Sequence, residues 1–519
     1  MRFLLFFSIL CYDFFYRLDF NLAEMNKIVG GFAICKELGF CPYNLKICKS
    51  GVFMPDPKYV PEEPICAVAT ALAPAALGIV RCTGKGCVSL LSKVFSRPAA
   101  LLQAAGNSIV YGWIKNGGAK IDEVMVSVFR APKSFTGEDM VEVSCHGGPG
   151  VVMAVQNVLL NNGFRQAERG EFTFRAFING KADLTKAEAV QEIIESRTGE
   201  SRSRAVGRLA GNLFEEISGI KKLLTDTLAS IEVEIEYPED EETIADSFDR
   251  SDLQEAIRRL SELNDSWQGE KLYQDGARVV LCGRTNAGKS SLFNAILKED
   301  RAIVSDIEGT TRDWLESWVD FGGLPVRLFD TAGLRETEDV IEAHGVELTK
   351  NLTEDADVIL YLCDSASGLS KDDVDFLRNA EKPVVFCWNK IDATDAALAE
   401  KNSLALKKEN IEKIKKEIKI SAKKGNGFSE LYGAVKEILF SGTGSERAQA
   451  GLGSARQKLA VEEALESVSH SIVAADKDFA LDAVIQDLED TIDFLGEVTG
   501  EVTADDVLES IFSRFCVGK

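Results

Sequence analysis

Thirteen residues, Val279 to Ser291, carry the most chemistry in this chain: an apolar run to Cys282, then Gly283-x-x-x-x-Gly288-Lys289-Ser290 and Ser291, after which Leu292-Phe293-Asn294-Ala295-Ile296 has a helix-like pattern. The spacing is that of a loop that wraps phosphates. Glycines let successive backbone N–H groups curl around an anion, and the N-terminus of the following helix adds positive potential. Lys289 reaches the β and γ phosphates, and the Ser290 hydroxyl takes one Mg²⁺ coordination position. The strand signal before the loop and the helix signal after it are the context the motif requires.

Downstream residues select the nucleotide. Asp330-Thr331-Ala332-Gly333 follows a strand-like Val326–Phe329, which puts a carboxylate and a glycine N–H where open α/β sheets bind nucleotides. There the Asp can hold the metal through its water and the Gly N–H can sense a γ-phosphate. Asn389-Lys390-Ile391-Asp392 follows the buried-strand pattern Pro383–Trp388. A carboxylate at Asp392 accepts two hydrogen bonds from the N1–H and 2-amino group of guanine, which adenine does not offer. Ser421-Ala422-Lys423 closes over the base, and Glu308-Gly309-Thr310-Thr311-Arg312-Asp313 supplies a mobile loop with Thr311 as the second Mg²⁺ hydroxyl. In order and spacing these stretches resemble the five G motifs of translation-factor-type GTPases. The alternative is an ATPase or a decayed P-loop domain.

The elements that must position these groups fill a chain of 519 residues, about three domains on the usual size prior. With 45% hydrophobic and 27% charged residues the chain is globular. Its net charge of −23 argues against a general nucleic-acid coat or an anionic membrane surface, but not against RNA held at a local patch or presented by a partner. The 12 cysteines show neither zinc-site nor disulfide spacing and there are only 3 histidines, so a reducing compartment without zinc is expected.

Residues 1–60 read as an extension of doubtful status, with Met54 as a plausible start. Arg2–Leu10 is apolar, but no small-residue cleavage site follows and Asp13 and Asp19 come at once. Elsewhere no apolar run is long enough to span a bilayer. Residues 61–183 read as a mixed α/β domain, with strands at Ile65–Leu72, Leu77–Cys82, Asp122–Phe129 and Val141–Ser144, and a helix at Val88–Phe95. Glycines and charges cluster at Phe135–Asp139, His146–Gly150, Arg169–Thr173 and Arg175–Leu184, suggesting a cleft; His146 fits a turn residue better than a catalyst.

Residues 184–273 turn helical, with Leu184, Ala187, Val190 and Ile194 at helical spacing, and the acidic run Glu232–Glu242 as a solvated connection. Residues 274–443 form the G domain, in which Gly322-Gly323 marks a hairpin and Lys407–Lys419 an exposed helix face leading to a strand. Residues 444–519 return to helix, with Leu481, Val484, Ile485, Leu488, Ile492 and Leu495 on one face and Thr503 with Asp506 as an N-cap. The expected fold is therefore α/β plus α: a helical domain interrupted by an inserted Ras-like P-loop domain.

The set Phe135–Asp139, His146-Gly147-Gly148, Arg169–Thr173, the inserted G domain and the ending Phe515-Cys516-Val517-Gly518-Lys519 resembles the MnmE (TrmE) family of tRNA-modification GTPases from about residue 64 onward. That family usually ends Phe-Cys-Ile-Gly-Lys; here Val replaces Ile, and Thr285 stands where the phosphate loop often has Pro. The resemblance implies an N-terminal domain that dimerises and binds a 5-formyltetrahydrofolate-type folate through Arg81, Glu142 and Lys181, with the terminal Lys519 reaching the same pocket and Cys516 a possible chemical participant. It implies nucleotide contacts from Asn286, Ala287, Gly288, Lys289, Ser290 and Ser291, and from Ser305, Asp306, Ile307, Glu308, Gly309, Thr310 and Thr311. Asp330, Thr331, Ala332 and Gly333, then Asn389, Lys390 and Asp392, then Ser421, Ala422 and Lys423 complete that set.

Leu334 stands where Ras-like enzymes place a water-positioning Gln. The family's substitute is K⁺, held by Asn286, Ser305, Ile307 and Thr310, with Glu342 orienting the attacking water through a second water. The implied activity is K⁺- and Mg²⁺-dependent GTP hydrolysis in the cytoplasm by a homodimer. With the FAD- and NADH-using MnmG in a heterotetramer, it places an aminomethyl or carboxymethylaminomethyl group on C5 of a tRNA wobble uridine. Two rivals share parts of the pattern: a ribosome-assembly GTPase switch, and a stand-alone folate-dependent transferase with a regulatory GTPase.

Overall fold

The computed structural model describes residues 46–47, 53–54, 63–236, 250–298, 315–331, 352–441, 450–476 and 481–519. Lys46–Ile47 (β1) and Phe53–Met54 (β2) pair antiparallel within a unit of their own, Met1–Glu63. The other unit, Pro64–Lys519, contains two sheets and a helical bundle.

The first sheet is built from Ile65–Val68 (β3), Leu77–Thr83 (β4), Ser108–Asn116 (β5), Ala119–Phe129 (β6), Met140–His146 (β7) and Arg165–Gln166 (β8), in the order β5-β6-β7-β4-β3-β8. Cys87–Ser92 (α1) and Pro98–Leu102 (α2) separate β4 from β5, and Pro149–Leu160 (α3) follows β7. Alternation decides the faces. Val141, Val143 and Cys145 of β7 join Val80 and Cys82 of β4 in a core covered by Val152, Val155 and Leu159 of α3. Glu142 and Arg81, directly opposite each other in the β4–β7 ladder, belong to the other face. β3 stops at Val68, four residues before the expected end of its strand, and β5 and β8 are strands beyond those expected.

Five helices come next: Glu171–Ile178 (α4), Leu184–Glu195 (α5), Gly199–Ala210 (α6), Asn212–Glu236 (α7) and Ser251–Asp275 (α8). The long α7 carries helix into the start of the acidic run that was expected to be connection, and residues 237–249 lie outside the described set. The second sheet follows with Ala277–Gly283 (β9), Lys289–Ile296 (α9), Leu315–Phe321 (β10), Leu324–Asp330 (β11), Val358–Asp364 (β12), Lys371–Asn379 (α10), Val384–Asn389 (β13), Ala396–Glu409 (α11), Ile414–Lys419 (β14) and Phe428–Phe440 (α12). Its order is β10-β11-β9-β12-β13-β14, parallel except for the β10–β11 hairpin. Every residue of β13 is buried, as a parallel strand covered on both faces requires.

The chain then re-enters the bundle through Ala455–Asp476 (α13), Leu481–Thr499 (α14) and Asp505–Phe512 (α15). Leu213, Ile217 and Leu224 of α7, Leu253 and Leu260 of α8, Val461 and Val468 of α13, and Val484 and Leu488 of α14 share one core. Helices on both sides of the inserted sheet thus bury each other, which closes the bundle around the insertion. Thr503 does not cap α15: its hydroxyl donates to Val502 O, and Ala504 occupies the cap position without a side-chain bond.

The inserted sheet is fixed to the bundle at several points. Thr198 Oγ1 donates to Gly323 O at 2.6 Å, Ser201 Oγ donates to Tyr273 O at 2.6 Å, and the Arg197 guanidinium lies 3.9 Å over the Trp318 ring. Buried Arg208 of α6 joins Glu192 of α5 to Glu270 of α8 and donates to Gly451 O. Among the described residues no helix is long and apolar enough to cross a membrane.

Candidate functional site

Strand register gathers the chemistry at one edge of the second sheet. Asp330 pairs with Leu281, Leu362 with Gly283, and Asp364 with Asn389, so the C-terminal ends of β11, β9, β12 and β13 lie side by side. The loop between β9 and α9 depends on two glycines. Gly283 has φ +132° and a side chain there would meet Leu362 O at 2.2 Å; Gly288 has φ +98° and would meet Asn389 Nδ2 at 2.2 Å. Asn286 sits at the loop's rim with φ +64°, a left-handed conformation that asparagine tolerates better than most residues. Helix α9 starts at Lys289 without a side-chain cap, so its first N–H groups point at the space the loop encloses. Lys289 Nζ donates to Gly283 O at 2.8 Å and Arg284 O at 3.1 Å, which holds an ammonium inside the loop. Ala287 is buried while Ser290 and Ser291 are exposed.

Asn389 is the knot of the site. Its side chain is buried, donates to Ala287 O at 2.9 Å, and accepts from the N–H of Lys390 at 2.8 Å and of Ala422 at 3.0 Å. One amide therefore ties together three stretches distant in sequence. Lys390, at φ +64°, extends over the phosphate loop, where its Nζ donates to Asn286 O at 2.8 Å. Asp392 accepts from Ser421 Oγ at 2.6 Å, a bond that heads the causes holding its carboxyl below the usual range. Lys423 stands exposed beside Ala422. Asp330 is fully buried at the end of β11, and Thr331 Oγ1 donates to Leu281 O at 2.8 Å, binding the third stretch to the first. Ser305 to Thr311, Ala332, Gly333 and Glu342 lie outside the described residues.

A second polar cluster lies on the first sheet. Arg81 Nε donates to Glu142 Oε1 at 3.0 Å and Arg81 Nη1 to Gly518 O at 3.4 Å; its guanidinium lies 5.3 Å from the Phe135 ring centre and 5.6 Å from that of Phe172. The C-terminal residues dock here: Phe172 N donates to Lys519 O at 3.1 Å, and Arg169 forms a bridge with Val517. Burial and the Arg81 charge hold the Lys519 ammonium below its ordinary value. Lys181 Nζ donates to Pro132 O at 3.0 Å, on the segment that continues to Phe135. Cys516 is exposed next to this cluster in sequence. Beneath it, Arg175 pairs with Glu138 and with fully buried Glu171, so Phe135–Asp139 and Arg169–Arg175 hold each other in place. His146 donates from Nδ1 to the Asp122 carboxylate at 2.8 Å, at the end of β7.

A phosphate loop at the strand ends of a parallel sheet, wired to an Asn-Lys-x-Asp stretch, defines a P-loop protein of the GTPase class. The family model described as "MnmE helical domain" matches residues 184–516, and the one described as "GTP-binding protein TrmE N-terminus" matches residues 64–181. The tRNA modification GTPase MnmE of Treponema denticola is 53% identical over 471 residues, covering 89% of this chain and 99% of that protein. Its namesakes are 40% identical in Treponema pallidum and 37% identical in Acetivibrio thermocellus, over 89% and 88% of this chain and 99% of each relative. The chain belongs to the MnmE family of tRNA modification GTPases. It is a hydrolase acting on GTP, with the Mg²⁺ and nucleotide use general to such enzymes.

Motif reading missed Asp364, and quoted Gly518 without the conformational reason for it. Asp364, the last residue of β12, accepts from Lys390 Nζ at 2.8 Å; its position at the end of the apolar run Val358–Cys363 was the available signal. Gly518 has φ +92° and a side chain there would lie 2.6 Å from Val68 O, so the docked tail requires glycine.

Proposed function

We propose that this GTPase is activated by K⁺ and works as a homodimer with the flavoprotein MnmG on tRNA. Together they add an aminomethyl or carboxymethylaminomethyl group to C5 of a wobble uridine, with a formyltetrahydrofolate-type donor. Lys289 and the N-terminus of α9 hold the phosphates, and Asp392 accepts from the guanine edge while Ser421 fixes its rotamer. Ser290 and Thr311 offer hydroxyls to Mg²⁺, which neutralises phosphate charge when bound. Asn286, with Ser305, Ile307 and Thr310, holds K⁺, which supplies the positive charge that an arginine supplies in other GTPases. Glu342 orients the attacking water. The exposed position of Asn286 at the loop rim fits a group that shares a cation with a second G domain.

The observation that carries the folate assignment is the return of the C-terminus to Arg81. The Arg81 guanidinium lies beside the rings of Phe135 and Phe172, and its charge is felt by the half-buried ammonium of Lys519, a pairing of cations and rings that suits a flat, anionic ligand. Glu142 orients Arg81, Lys181 binds the Pro132 carbonyl on the segment that leads to Phe135, and Cys516 stands within the same tail. Exposed Ile109 and Tyr111 of β5 and Met125 of β6 form an apolar patch on the same sheet that suits burial against a second copy. The reaction is one of the cytoplasm, where the tRNA substrate is.

The test is GTP turnover by the chain beginning at Met54, in KCl against NaCl at equal ionic strength. Strong stimulation by K⁺, lost in Asn286→Ala, supports the cation mechanism; equal rates in both salts reject it. Modification of a wobble uridine in the presence of MnmG and a folate donor, lost in Arg81→Ala with GTP turnover preserved, tests the other half.

A further inference from the structure

Lys390 would be a poorly held side chain on its own, since it is 41% exposed and its backbone is left-handed. Two acceptors fix it: Asn286 O at 2.8 Å and Asp364 Oδ2 at 2.8 Å. Asp364 is itself fixed. It ends β12 in register with Asn389, its Oδ1 accepts from Ala366 N at 2.9 Å, and Ser365 N donates to Asn389 O at 2.9 Å. The path from Asp364 through Lys390 to the left-handed Asn286 is thus a rigid brace between the base-reading end of the sheet and the tip of the phosphate loop.

We propose that Asp364 is a positioning residue for nucleotide binding, acting through Lys390 to hold the phosphate loop in its binding conformation before nucleotide arrives. The inference rests on the guanine-nucleotide reading of this site. Bonds between ionised partners are about twice as strong as neutral ones, and preorganising a loop raises affinity by removing an ordering cost at binding. Loss of Asp364 therefore acts on the ground state: the loop binds less tightly, while bound GTP is hydrolysed at nearly the same rate.

The experiment measures GDP affinity with a fluorescent GDP, and KM and kcat for GTP, in wild type, Asp364→Ala, Lys390→Ala and the double variant. Asp364→Ala is expected to weaken GDP binding and raise KM by about tenfold, with kcat within about twofold. The double variant is expected to be no weaker than Lys390→Ala alone, because the two side chains act in series. Asp364→Asn, which keeps an acceptor but no charge, is expected between Asp364→Ala and wild type. Wild-type affinity in Asp364→Ala, or a double variant whose loss is the product of the single losses, overturns the proposal. If Asp364→Ala does not fold, the same cycle is run with Asp364→Asn, where an unchanged affinity overturns it equally. A wild type that fails to bind GDP overturns the guanine-nucleotide reading itself, a distinct result.

Discussion

The phosphate loop and the tail pocket are assembled in opposite ways. Every described group of the first comes from the strand ends of one sheet, between Leu281 and Ala422, and is joined through backbone atoms by Asn389, Lys390 and Thr331. The second joins Arg81 to Gly518, 437 positions away, and exists only when the last helix and tail have returned to the first sheet. A site made of neighbouring strand ends forms with its own sheet. A site closed by the chain's last residues depends on the helical bundle between, where Phe512 and Phe515 pack against Leu184 and Ala187. The first can work while the rest moves; the second reports whether the whole chain is in place.

The largest effect is expected from Asn389→Ala, which sharpens the contrast by cutting the local wiring alone. It orphans Ala287 O and the N–H groups of Lys390 and Ala422 in a buried place, at about 1–3 kcal/mol each. Nucleotide binding should fall by more than about a hundredfold, measured by fluorescent-GDP titration. The tail should stay docked, measured by proteolysis of the C-terminus. Retention of GDP binding within about tenfold would break the argument that one amide organises the site.

Gly518→Ala is the counterpart at the tail, with a smaller cost. The backbone at φ +92° disfavours any side chain, and its methyl would press on Val68 O. Strain of about 1–3 kcal/mol should release the last residues. GTP turnover should be kept and tRNA modification lost, measured on the same preparation. Equal loss of both activities would mean that the two sites are not separable.

The same difference governs what the sequence discloses. Phosphate loops, Asp-Thr-Ala-Gly and Asn-Lys-x-Asp are contiguous because strand and turn geometry impose fixed short spacings, so Lys289, Asp330 and Asp392 could be placed without any likeness to other proteins. The β10–β11 hairpin was visible at Gly322-Gly323 for the same local reason. Arg81, Glu142, Lys181 and Lys519 have no shared spacing, and only likeness to a family suggested that they meet. The structure brings Arg81, Glu142 and the tail together, and places Lys181 on Pro132. Asp364 was missed because a carboxylate at a strand end is ordinary until its partner is known. Thr503 misled because a Thr two residues before a helix satisfies the capping pattern, whereas its hydroxyl rotates to the preceding carbonyl.

The smallest effect on either site belongs to the junction between them, and pH exposes it. Burial pushes Glu192 up to about 7 against the pull of Arg208, with Glu188 and Glu270 adding to the rise. Between its ordinary 4.5 and about 7 the folded chain therefore holds a proton that the unfolded chain has released. Stability from this group is complete below its ordinary value of 4.5 and is lost as pH rises through about 7, at no more than about 1.4 kcal/mol per pH unit. Glu171 has the opposite sign: burial raises it, but Arg165, Glu168 N–H and Arg175 together hold it low, so its contribution is lost only as pH falls below the carboxylate range. At the nucleotide site Asp392, held low first by Ser421, and Asp364, held low by Lys390 despite burial, stay charged across neutral pH. Thermal midpoint should thus decline from pH 5 to about pH 7 and then level off in wild type, and stay flat in Glu192→Gln, while GDP affinity stays level in both. Parallel slopes in the two proteins would show that Arg208 keeps Glu192 charged throughout, and a GDP affinity that follows the midpoint would show that the nucleotide site is less independent of the bundle than its wiring indicates.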